Sequence, residues 1–151
     1  MSTLRSPAAP QQVDVRGPRC AAWISTVVLA AVLLTGNWIL LGVQAVVFAM
    51  GAALGPRRSP YGWLYATLVA PRIGPPTELE PVAPLRFAQL VGLVFSVVGL
   101  LGYLLGAPLL GAVATGLALV AALLNAAFGI CLGCRLYPLA AAVRARAGRR
   151  P

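Results

Sequence analysis

Histidine and lysine are absent from this chain of 151 residues, and only three carboxylates occur, Asp14, Glu78 and Glu80. Without histidine there is neither a Ser–His–Asp triad nor an imidazole metal cage. The three acids lie in polar, proline-containing stretches, so the apolar stretches hold no carboxylate to relay a proton across a bilayer. Hydrolases and proton-coupled pumps are therefore poor readings. Charge of either sign is scarce, at 10% of residues against 60% hydrophobic and a mean hydropathy of +0.86. A soluble domain of this size would have nowhere to put so much apolar surface. The chain reads as an integral membrane protein.

Four apolar runs, about 20–35, 38–54, 87–105 and 109–130, approach the ~20 residues that a helix needs to cross a bilayer. The links after the first and third runs are Gly36-Asn37 and Gly106-Ala107-Pro108, with no charge in either. All twelve arginines fall in the N-terminal arm, the central loop or the C-terminal tail. Arginine near helix ends stays on the cytoplasmic side, because carrying it across is unfavourable. These observations predict an all-α membrane protein of four transmembrane helices in two helical hairpins, both termini cytoplasmic, in a bacterial inner membrane. No small-x-small cleavage site separates the first two runs, so the first is expected to be a retained helix.

The net charge of +9 divides into +2 for the arm, +2 for the central loop and +5 for the tail. All three segments would face anionic lipid, so headgroups are the expected partner and nucleic acid is not. Residues 1–12 read as a disordered arm, 13–147 as a single membrane domain and 148–151 as a basic tail. The loop between the hairpins contains seven prolines and cannot be one helix. Within it Ser59-Pro60 has the form of an N-cap and a first-turn proline, and Tyr61, Leu64, Tyr65 and Leu68 follow at helical spacing. A short interfacial helix over 60–70 is expected, aromatics toward lipid and Arg57, Arg58 and Arg72 toward phosphates.

Two segments echo each other. Arg19-Cys20-Ala21 and Arg86-Phe87-Ala88 open the hairpins, and both hairpins end in G-x-x-L-G-x-R, at Gly51–Arg57 and Gly129–Arg135. Parallel repeats have this form, although an Ala/Gly/Leu-rich composition also generates such matches. The G-x-x-x-G spacings, Gly102 and Gly106 included, are expected to let helices approach closely. The intramembrane polar residues Gln44, Gln89, Ser96, Thr115 and Asn125 are uncharged and read first as interhelical hydrogen-bonding groups.

One constellation can carry chemistry: Cys131-Leu132-Gly133-Cys134, at the cytosolic end of the fourth run. This spacing suits a disulfide, a soft metal ion or simple packing, and all three stay open here. If Gly133 ends the helix between the sulfurs, Pro138 suggests that a short amphipathic C-terminal helix begins near Tyr137. Cys134 would then lie near a helix N-terminus beside Arg135, a candidate thiolate stabiliser, and would be the nucleophile with Cys131 resolving. A helix running straight through would instead raise the thiol pKa. Cys20 reads as filler.

Asp14-Val15-Arg16-Gly17-Pro18-Arg19, Gln44-Ala45-Val46-Val47-Phe48-Ala49, the loop from Gly55 to Gly62, Arg86-Phe87-Ala88-Gln89 and Asn125–Gly129 leading into the CLGC resemble one family. It is the bacterial, largely actinobacterial family of domain of unknown function 4395, and the resemblance covers about residues 13–140. Arg135 stands where the family pattern leads one to expect an acid after the CLGC. The resemblance implies no established activity and no cofactor or metal. By association with thioredoxin-like and sulfurtransferase proteins, it implies exchange of electrons or sulfane sulfur between Cys131/Cys134 and such a cytosolic partner. A small transporter for a sulfur species or soft metal ion, and a non-catalytic scaffold, are the alternatives. Small-residue helix faces also allow a homo-oligomer.

Overall fold

The computed structural model describes residues 11–149. Residues 1–10 of the arm, and Arg150 and Pro151 of the tail, lie outside the described residues. Four apolar helices make the body: α1 (Arg16–Thr35), α2 (Trp38–Leu54), α5 (Val82–Leu104) and α6 (Pro108–Phe128). Three of them, α1, α5 and α6, are long and apolar enough to cross a membrane. With 17 residues, α2 is apolar but shorter, at about 26 Å. The chain is a helical, multi-pass membrane protein.

Both α1 and α5 begin about four residues earlier than their apolar runs. Pro18 and Pro84 each sit in the first turn, where a missing N–H removes no intrahelical bond. The Gly36-Asn37 turn is set by Gly36 in a left-handed conformation (φ 65°) and by Asn37, whose side chain accepts from the Ile39 and Leu40 amides at 3.0 and 3.2 Å. Gly106 does not serve helix packing; it lies in the left-handed turn before Pro108. Gly102 does pack closely, since a Cβ there would come within 2.5 Å of the Gly111 nitrogen on α6.

The four helices close a ring in which α1 packs along α6, α2 along α5, and α5 on α6, with a lighter contact between α1 and α2. Leu29, Val32 and Leu41 are fully buried at its centre, packed with Phe48 and Ala118. Gln44 is also fully buried; its amide donates to Ser25 Oγ at 3.1 Å, and its carbonyl accepts from Tyr61 Oη at 2.6 Å. Trp23, Val27, Val43, Val46, Leu101 and Val120 point outward, the face a bilayer would cover.

Each hairpin's first helix caps the other hairpin's second. Arg86, opening the second hairpin, donates to the Ala52 and Ala53 carbonyls at the end of α2, both at 2.8 Å. Arg19, opening the first, donates to the Ala126 carbonyl near the end of α6 at 3.4 Å. This reciprocity is what a duplicated hairpin produces, and it satisfies carbonyls that a helix terminus leaves without partners.

The central segment departs from the sequence expectation. Its helical stretch consists of α3 (Pro60–Leu64), a π turn at Tyr65–Val69, and α4 (Ala70–Ile73). Pro71 has no N–H and crowds the carbonyl four residues back, and the ladder widens so that Ala70 bonds to Tyr65, five residues back. Ser59 is the N-cap, accepting from Gly62 at 3.1 Å. Tyr61 and Tyr65 do not face lipid: Tyr61 reaches Gln44, and Tyr65 Oη donates to Asp14 Oδ2 at 2.7 Å. The outward apolar groups are Trp63 and Leu68.

A two-stranded antiparallel ribbon also stands outside an all-α description. Gln12, expected in the disordered arm, belongs to β1 (Gln12–Asp14), which pairs with β2 (Leu79–Pro81) so that Val13 lies opposite Glu80. Arg16 pins this ribbon. Its guanidinium pairs with Asp14 at 2.9 Å and donates to the Ile73, Gly74 and Pro75 carbonyls.

Candidate dithiol site

The sixth helix stops at Gly129, whose left-handed conformation (φ 68°) only glycine adopts readily. The break therefore falls before the CxxC and not at Gly133. A new helix, α7 (Leu132–Ala147), begins at once, five residues upstream of the expected Tyr137. Pro138 lies inside it, leaving the Cys134 carbonyl without its i+4 donor. Leu132, Leu136, Leu139 and Val143 form an exposed stripe along α7 at spacings of four, three and four residues, which makes the helix amphipathic.

Cys131 is the N-cap of α7. Its backbone is extended (φ −85°, ψ 103°), and its Sγ accepts the Cys134 N–H at 3.3 Å, a bond normally made by serine or aspartate. The Cys134 thiol donates to the same sulfur, and this bond, more than any other contact, pulls the Cys131 pKa below its ordinary value. Its counterpart moves the other way. As the donor to Cys131, and half buried, Cys134 has its pKa pushed up. The geometry thus reverses the roles expected from sequence: Cys131 is the thiolate and Cys134 holds its proton.

Two contacts hold the pair in place. Gly133 is pressed on α5, where a Cβ would come within 2.6 Å of Ala88 Cβ. Phe87 and Tyr137 meet edge to face, with ring centroids 6.0 Å apart. Arg135 is exposed, and among the described residues its guanidinium makes no hydrogen bond to either sulfur; its backbone N–H donates to the Cys131 carbonyl at 3.1 Å. Cys20 is half buried in α1 and has no part in the pair.

An acid that sequence reasoning set aside belongs here. The β1–β2 pairing delivers Glu80 to the dithiol, where its charge raises both thiols. Burial raises the pKa of Glu80 itself, and Glu78 adds to the shift. No sequence signal links Glu80 to residue 131; only strand pairing does. Among the described residues no group of three or more His, Cys, Asp or Glu side chains assembles, so a metal ion here would find two thiols as its protein ligands. Arg57 and Arg58 are exposed on the short turn Pro56–Arg58, and Arg72 is exposed on α4; Arg57 also donates to the Gln12 carbonyl at 3.5 Å.

Behind Cys131 a cavity of roughly 670 Å³ runs from the loop side into the ring of helices. Cys131 is on its wall and Cys134 is not. Of the five intramembrane polar residues, Gln44 bonds between helices, and Thr115 bonds back to the Gly111 carbonyl of its own helix at 2.8 Å. Ser96 Oγ is buried without a partner among the described residues. Gln89 and Asn125 line the cavity.

No curated protein and no solved structure gives a match to the chain. A family profile, described as a domain of unknown function (DUF4395), matches residues 13–142, which include the ribbon, all four apolar helices and the dithiol. The chain belongs to the DUF4395 family.

Proposed function

We propose that this protein is a thiol-exchange protein of a bacterial inner membrane, in which Cys131 and Cys134 pass electrons or sulfane sulfur to and from a cytosolic thioredoxin-like or rhodanese-like partner. Four membrane-crossing helices form two hairpins, with both termini and the dithiol in the cytosol. The 17 residues of α2 cross with the help of local thinning. The exposed stripe on α7 lies along the inner membrane surface, as do Trp63 and Leu68 beside Arg57, Arg58 and Arg72.

The observation that carries the reading is the capping of Cys131 by the Cys134 amide, 3.3 Å from the sulfur. A structural cysteine has no use for such an arrangement, whereas a nucleophile gains thiolate character from it. In the reductive direction, the Cys131 thiolate attacks a disulfide sulfur of the partner and forms a mixed disulfide, releasing one partner thiolate. Cys134, deprotonated, then attacks Cys131 Sγ. The Cys131–Cys134 disulfide closes and the second partner thiolate leaves, so two electrons have moved. The oxidative direction reverses each step.

Substituting each cysteine in turn tests this. Cys134→Ser should accumulate a mixed disulfide or persulfide on Cys131 in native membranes, and Cys20→Ser should be silent. Absence of any adduct, with both Cys131→Ser and Cys134→Ser less stable in detergent, would assign the pair to packing and favour a scaffold.

A further inference from the structure

The cavity behind Cys131 has a consistent chemistry. Its walls are mainly apolar, with Phe48, Phe95 and Ala122 deep in the ring of helices. Its ionised groups, Asp14 and Arg57, are at the loop end, and Asp14 is already paired with Arg16 and Tyr65. Two side-chain amides, Gln89 on α5 and Asn125 on α6, line it without a hydrogen-bond partner among the described residues. Amides offer N–H donors that an apolar ligand must satisfy or leave costly. One wall reaches Leu117, which is 52% exposed on the outer face of α6 and gives a route in from lipid. The volume is within the ~300–1,000 Å³ usual for small-molecule sites.

A fitting ligand is neutral, largely apolar, soluble in the bilayer and supplied with carbonyl acceptors. A sulfane chain or a metal ion would leave both amides unanswered. We propose that this cavity binds the ring of a membrane quinone, with Gln89 and Asn125 donating to its carbonyl oxygens, and that the bound quinone oxidises the Cys131/Cys134 dithiol; the proposal rests on the thiol-exchange reading above.

The chemistry balances. The Cys131 thiolate adds to an electrophilic ring carbon, forming a C–S bond and moving an electron pair onto a ring carbonyl oxygen. Cys134 loses its proton and attacks Cys131 Sγ. The S–S bond forms, the C–S bond breaks, and its electron pair stays on the ring. The two thiol protons end on the two oxygens, so dithiol plus quinone becomes disulfide plus hydroquinone. Thiols of the cytosolic partner then reduce the disulfide. Placing Cys131 on the cavity wall and Cys134 off it divides the work as this sequence requires.

The test uses the full chain in liposomes, reduced and anaerobic, with a short-tailed benzoquinone as probe. Hydroquinone is read by absorbance and the disulfide by thiol alkylation and mass. A water-soluble dipyridyl disulfide serves as the parallel oxidant. The wild type should yield hydroquinone and disulfide in equal amounts, and Cys131→Ser should yield neither. Gln89→Leu and Asn125→Leu should each slow the quinone reaction roughly tenfold, the loss expected for one hydrogen bond, while the dipyridyl reaction is unchanged. Ala122→Phe should block the quinone alone. If the dipyridyl reagent closes the disulfide and the quinone does not, the quinone proposal falls and the thiol-exchange reading stands. If neither oxidant closes it, both fall. Equal quinone rates in the cavity variants would place the reaction elsewhere and overturn the site, as would a co-purifying phospholipid that the quinone cannot displace. Should a leucine variant misfold, saturable quenching of tryptophan fluorescence by the probe in Cys131→Ser decides the matter without turnover, and its absence overturns the proposal.

Discussion

The backbone N–H of Cys134 donates to Cys131 Sγ at 3.3 Å, so the second cysteine holds the first as the cap of their shared helix. Capping and thiolate stabilisation are here one contact. It explains why two residues of the same type, three apart, have pKa values shifted in opposite directions. The consequences can be measured at the sulfurs, at the ribbon and on the two faces of the membrane.

Alkylation in a Cys20→Ser background should separate the two thiols. Cys131 should react with iodoacetamide at a lower pH than an ordinary cysteine, because its thiolate is the stabilised form, and Cys134 only at higher pH. Glu80→Gln removes a negative charge that raises both, so the Cys131 profile should move further toward acid. Mass spectrometry of each peptide against pH reads this directly. A Cys134 that reacts first would reverse the assignment.

Acid should loosen the ribbon before the helices. Hydrogen bonding to the Arg16 guanidinium holds the Asp14 pKa at about 2, below its usual 3.8. A depressed folded-state pKa means that the stabilisation is complete above the unfolded value and is lost as pH falls from 3.8 through about 2. Amide exchange at Val13 and Glu80 should rise across that window with helical content retained. Asp14→Asn should show the faster exchange already at pH 7, and unchanged exchange in that variant would remove Asp14 as the anchor.

Gly133→Ala should be costly for a site in a helix. The new Cβ meets Ala88 Cα at 2.5 Å and Cβ at 2.6 Å, and backbone cannot swing aside as a flexible side chain can. A loss of about 1–3 kcal/mol is expected, read as a lower unfolding midpoint in detergent. Alkylation of Cys131 should quicken as α7 lifts from α5. Adding Ala88→Gly should restore both, and failure of that rescue would place the strain elsewhere.

Membrane orientation follows from the arginines. Single cysteines at Asn37 and Ala107, in a chain without its native thiols, should label with impermeant reagents from outside the cell. A reporter fused after Arg72 should read cytosolic. Labelling of Asn37 only after the inner face is opened would invert the topology and take the dithiol out of the cytosol.

The membrane-protein class, the bounds of α2, the two tight turns and the Ser59 cap were legible in the linear chain. Each depends on local composition: apolar runs of fixed length, a glycine or asparagine at a left-handed or capping position, a proline in a first turn. The CxxC stood out by its spacing alone. Its polarity did not, because Gly129 and Gly133 both qualify as helix stops, and only packing distinguishes them. Gly133 is pinned against Ala88, so the stop falls at Gly129 and Cys131 becomes the cap. The inward turn of Tyr61 and Tyr65 was equally hidden, since their partners Gln44 and Asp14 are 17 and 51 residues away in the chain. Glu80 reaches the thiols through a strand pair of three residues on each side, too short to carry a sequence pattern. Local chemistry thus decided that this chain enters a membrane and where its helices turn. Which thiol is activated, which acid faces it and what space opens behind it were decided by contacts between segments far apart in sequence, where no local pattern records the partner.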